Sequence, residues 1–130
     1  MSSQPRQPLP ERASYLALLA ASPTIWAVHF LLSYCTAAVW CAKFAPRGDT
    51  LGGAGVAIWI FTAVALAAIA AIGRHAWRRH RYGDAELPHD FGSPEDRHRF
   101  LGFACALLSG FSAVAVVYSA LAVALVGSCR

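Results

Sequence analysis

The side chains with the widest chemical repertoire in this 130-residue chain are five histidines and four cysteines. His29 is the unusual one, because from Ala13 to Ala42 it has no Asp, Glu, Lys or Arg beside it. An ionisable group inside so apolar a run is costly to bury and suggests a function by default. Trp26, His29, Ser33, Thr36 and Trp40 recur three and four apart, so on a helix they share one seam. A matching polar line, Cys105, Ser109, Ser112 and Ser119, runs through the last apolar stretch beside the small residues Gly102, Ala106, Gly110 and Ala113. The expectation is a neutral His29 that hydrogen-bonds one of these hydroxyls and sets helix register. Ligation of haem or copper and a proton relay are the chemical alternatives. Ligation of haem from two helices calls for a second histidine, and no other apolar run contains one.

Cys41 closes the first apolar run and Cys129 follows the last. A Cys41–Cys129 disulfide is expected if both stand on an oxidising side of a membrane, with two unpaired thiols or a metal or redox role as alternatives. Cys35 and Cys105 lie within apolar runs and read as packing residues. His75, His80, His89 and His98 fall in one polar segment, but their spacings match no compact ligand motif and the segment has no cysteine, so a metal site is not expected there. No apolar run contains a carboxylate, which argues against proton-coupled export. The chain has no phosphate-cradling glycine loop and no Ser, His and acid constellation, and no enzymatic activity is expected.

The elements that must position these residues follow from charge segregation. Charged residues make up 14% of the chain and hydrophobic ones 57%, against about 25% and 45–50% in ordinary soluble domains. They are absent from 13–42, 50–73 and 100–129, and each gap exceeds the roughly 20 residues needed to cross a bilayer core. The runs are continuously apolar, which excludes the alternation of barrel strands. The fold expected is therefore an all-α membrane protein, an antiparallel bundle of three transmembrane helices over about 23–42, 56–72 and 100–126. Residues 1–12 read as a flexible tail and 13–130 as one membrane domain. A cleaved signal peptide is the rival at the N-terminus, but Glu11 and the apolar character beyond Ser22 argue for a retained span.

Pro23 punctuates the first run. Either Ser22 caps a helix starting at Pro23, leaving 13–21 as a short interfacial helix, or one long helix bends there. Ala63, Ala67 and Ala71 mark the face of the second span where a neighbouring helix backbone is expected to come close. Ser93, Pro94, Glu95 and Asp96 combine the signals of a helix start. Of the eleven Lys and Arg, eight (Arg6, Arg12, Arg74, Arg78, Arg79, Arg81, Arg97, Arg99) lie in the tail or the loop 74–99 and three (Lys43, Arg47, Arg130) on the other side. Arg74, Arg78, Arg79 and Arg81 thus act as topology determinants, placing the N-terminus and this loop in the cytoplasm and the C-terminus outside. The same cluster attracts anionic lipid, and nucleic acid is not an expected partner. Trp26, Trp40 and Trp77 stand near span ends, as interfacial aromatics do.

The stretch from Ser22-Pro23-Thr24-Ile25-Trp26-Ala27-Val28-His29-Phe30 to Trp40-Cys41-Ala42 resembles the first helix of small bacterial inner-membrane proteins that accompany haem-copper terminal oxidases. The resemblance covers the first span, with Cys129 and the Arg-rich loop fitting the same outline. It implies an accessory or assembly role near a respiratory oxidase. Three short helices enclose little volume for a transport pathway, and their seams rich in Gly, Ala and Ser suit association with other membrane subunits or copies of the chain; a small oligomeric transporter or channel is the further alternative. His29, Cys41 and Cys129 are the matching positions.

Overall fold

A computed structural model describes residues 9–80 and 94–129, with side chains over 16–78 and 100–129. Three helices make up the architecture: α1 (Leu9–Lys43), α2 (Gly52–His80) and α3 (Pro94–Val126). Each contains a segment long and apolar enough to cross a membrane, Leu16–Lys43, Gly52–Arg78 and Phe100–Val126. The chain is a small polytopic membrane protein built as an all-α three-helix bundle. Residues 1–8 of the expected tail, most of the loop with His89, Arg81 and the Ser93 cap, and the side chains of Arg79, His80 and His98 lie outside the described residues.

The first helix corrects two expectations. It begins at Leu9, so the last residues read as tail are helical, and it runs through Pro23 without a break. Ser22 does not cap a helix there: it is 1% exposed, and its hydroxyl meets Ser109 of α3. A proline inside a helix removes one amide donor from the ladder, and in a membrane neighbouring hydroxyls make up for such losses. The carbonyl left without its usual donor is that of Leu19; beside it, Thr24 donates its hydroxyl to the next carbonyl, that of Ala20, at 2.6 Å. There is accordingly no separate interfacial helix. The third helix starts at Pro94, as its sequence signals indicate.

The core is a narrow axis. Ala65, Ile69 and Val116 form its centre, with Ile25, Leu66 and Ala113 packed against them. The buried line of α2 runs Ala54, Ile58, Thr62, Ala65, Ile69 and Ala76, one stripe at helical spacing. Ala63, Ala67 and Ala71 are exposed on the opposite side, which overturns the expectation that they meet a neighbour within this chain. The rotation of α2 is decided by Thr62, the single hydroxyl in its apolar stretch, which must find a partner away from lipid. Further along, Gly73 lets α2 and α3 approach closely, since a Cβ there would come 3.2 Å from Ser109 Cβ. Large apolar residues such as Phe111, Tyr118 and Leu125 cover the outside, as a hydrocarbon environment favours.

At the end of the bundle formed by the α1–α2 linker and the C-terminus, the backbone closes a small antiparallel bridge between Thr50 and Ser128. Gly48 N–H donates to the Cys129 carbonyl (2.6 Å) and Cys129 N–H donates to the Asp49 carbonyl (2.9 Å). Gly127 ends α3 in the left-handed region (φ 47°), and its N–H donates to the Val123 carbonyl, as a glycine just past a helix end does.

Candidate functional site

The bundle's polar side chains are stacked in three layers along its axis. The first lies near the basic end. Ser109 Oγ donates to the Cys105 carbonyl one turn before it (2.9 Å), so its proton is committed and Ser22 is the donor in the 2.8 Å Ser22–Ser109 contact. Cys105 Sγ donates to the Leu18 carbonyl at 3.5 Å. These contacts join α1 to α3, and Cys105 is therefore a packing residue that also makes a weak interhelical bond.

The middle layer holds His29, which is 2% exposed. Its Nε2 lies 2.9 Å from Thr62 Oγ1, and Thr62 donates its own proton to the Ile58 carbonyl at 2.8 Å. The imidazole therefore donates from Nε2, which in the neutral ring leaves Nδ1 as the bare nitrogen. Ser33 Oγ stands at 3.5 Å from the same Nε2. Nδ1 is buried and has no hydrogen-bond partner among the described residues. The register-setting bond expected of His29 is thus made, but to α2 and not to the serine line of α3. Thr62 was the legible signal for it, since no other hydroxyl competes within the apolar stretch of α2.

The remaining seam residues divide. Ser33 is buried, and Thr36 and Trp40 are partly covered. Trp26 is 36% exposed and points off the seam, because the inward face of α1 is taken up by Ser22, His29 and Ser33. It begins a row along the outer face, Trp26, Phe30 and Tyr34, with successive ring centroids 6.4 Å apart. The indole of Trp40 lies over Gly52 and Gly53, where an added Cβ would stand 3.4 Å from it. On α3, Cys105, Ser109 and Ser112 face inward as expected, whereas Gly110 of the small-residue line faces open space.

The third layer is the cysteine pair. Cys41 and Cys129 meet at disulfide-bonding distance with Cα atoms 5.4 Å apart. They stand above a groove of about 440 Å³ between α1 and α3, which reaches from Ser33 past Phe30 and Tyr34 to the pair itself. Arg74 and Arg78 are exposed at the opposite end of the bundle from the cysteines. Among the described residues no three His, Cys, Asp or Glu side chains gather as a metal cluster. The arrangement offers one histidine nitrogen for ligation or hydrogen bonding, one disulfide-forming cysteine pair and an ordered aromatic face.

No protein-family model, no curated protein and no solved structure matches this chain.

Proposed function

We propose that this protein is a non-enzymatic accessory, assembly or structural component of a larger bacterial inner-membrane complex, of the respiratory oxidase type that its first helix resembles. The observation that carries this reading is how the polar groups are used. Ser22, His29, Thr62 and Ser109 join helix to helix inside the bundle, while α1 turns the Trp26, Phe30 and Tyr34 row outward as an ordered face. Aromatic rings of this kind carry much of the energy of protein interfaces. The proposed orientation has the N-terminus and the Arg74 end in the cytoplasm and the cysteine pair outside. Two independent features agree on it, since basic residues favour the cytoplasm and disulfides persist on the oxidising side. The partner is identified by placing a photo-crosslinking residue at Phe30 in native membranes and sequencing the product. Crosslinks to one subunit of a membrane complex, lost when Trp26→Ala and Tyr34→Ala are added to the chain that carries the probe at position 30, are the expected result. Crosslinks to lipid alone would overturn the proposal.

The unpartnered Nδ1 of His29 favours one second reading, a single-histidine ligand for haem or copper. An absorbance band or bound copper in purified protein, absent from His29→Ala, would establish it. A colourless, copper-free protein leaves His29 as the α1–α2 register residue.

A further inference from the structure

The α2–α3 interface does not close along its whole length. Between Leu66 and Trp77 a groove of about 470 Å³ stays open on the outside of the bundle. Its floor is made of small residues, Ala70 and Gly73 from α2 facing Ala106 and Gly110 from α3. Gly110 is exposed, and a Cβ there would meet nothing within 4 Å. At the polar end stand Arg74 and Trp77, both exposed. Eleven residues at ~1.5 Å each separate Leu66 from Trp77, about 16 Å along the axis, which is close to half of a ~30 Å hydrocarbon core. The groove is therefore one leaflet deep.

Its charge is unbalanced as well. Asp49, at the opposite end of the bundle, is the only carboxylate among the residues whose side chains are described. Among the residues whose side chains are described, no carboxylate therefore stands beside the Arg74 guanidinium at the mouth of this apolar trough.

We propose that this groove binds an anionic phospholipid, with the phosphate on Arg74 and one acyl chain along the trough between Gly73 and Gly110. A guanidinium matches phosphate through two parallel N–H donors. The Trp77 indole stands at headgroup level, where such rings collect. A transmembrane helix of a second copy would need a trough continuing through both leaflets, whereas this one ends at Leu66 and Ala113, near mid-depth. The site is independent of the partner-binding reading above, since it lies on α2 and α3 and not on the aromatic face of α1.

The test is native mass spectrometry of the full chain released from nanodiscs containing equal phosphatidylglycerol and phosphatidylcholine of the same acyl composition. The wild type is expected to retain phosphatidylglycerol preferentially. Arg74→Gln is expected to lower that preference about fivefold, the usual effect of one basic residue near an anionic surface. Arg74→Lys keeps the charge and is expected to retain part of it. Gly110→Leu fills the open trough and is expected to lower retention of both lipids, with the helical circular dichroism signal unchanged. Wild-type retention in both Arg74→Gln and Gly110→Leu would overturn the proposal. So would displacement of the lipid by inorganic phosphate alone, or a change from dimer to monomer in Gly110→Leu without loss of lipid.

Discussion

The two ends of this bundle are held together by different physics. At the linker end, the Cys41–Cys129 pair and the backbone bridge between Thr50 and Ser128 tie α1, the linker and the end of α3 into one piece. At the basic end, α1 meets α3 through the Ser22–Ser109 hydroxyl pair and the weak Cys105–Leu18 bond, and α2 meets α3 through the close approach at Gly73. One end relies on a covalent bond between residues 88 apart in sequence, and on backbone bonds beside it. The other relies on small residues and on hydroxyls that would otherwise face hydrocarbon. The linker end should therefore resist loosening under heat or detergent, and the basic end should open first.

The largest effect expected from breaking this contrast is at the cysteines. Cys41→Ser with Cys129→Ser should cost about 2–4 kcal/mol, the usual range for a bridge closing a long loop. The check is thermal unfolding in detergent, with and without reductant. Reductant should lower the wild-type midpoint and leave the double variant unmoved. Ready alkylation of both cysteines in unreduced protein would remove the covalent half of the comparison.

At the opposite end, Gly73→Val drives a branched side chain into Ser109 and should cost about 1–3 kcal/mol, as overpacking does. Because the linker end stays clamped, hydrogen exchange should rise in the basic halves of α2 and α3 before it rises near Leu51. Uniform exchange along all three helices would show that the two ends are not separate units. The smallest effect belongs to the middle layer. Thr62→Val removes the acceptor of the His29 Nε2–H and should cost about 0.6–1.7 kcal/mol, the range of hydrogen bonds between membrane helices. Thr62→Ser should restore most of it. Full stability in Thr62→Val together with a loss in Thr62→Ser would mean that the methyl packing of Thr62 matters and its bond to His29 does not.

Much of this molecule was legible without coordinates, and the exceptions share a cause. Run lengths and charge gaps marked three helices, and the topology they imply put Cys41 and Cys129 at the same end. The inward position of His29 followed from the cost of exposing an imidazole to lipid. The choice of faces was less legible. Spacing alone places Trp26 on the seam, yet it turns outward, and the alanine spacing of Ala63, Ala67 and Ala71 suits a close approach, yet they face away. Ser22 before Pro23 carried the pattern of a helix start, and a buried partner on α3 drew it into a continuous helix instead. In each case the misleading signal was local and the deciding contact lay on another helix.

The amino-acid sequence by itself determined how many times the chain crosses a bilayer and where the crossings fall. Hydrocarbon acts on each segment separately, demanding apolar side chains and internal backbone bonds over a set length. Only the tertiary structure decided how each helix is rotated. A helix that is apolar all round is accepted by lipid at any rotation. The faces are chosen by the few groups that need one another: His29 and Thr62, Ser22 and Ser109, and the glycine that lets α2 approach α3.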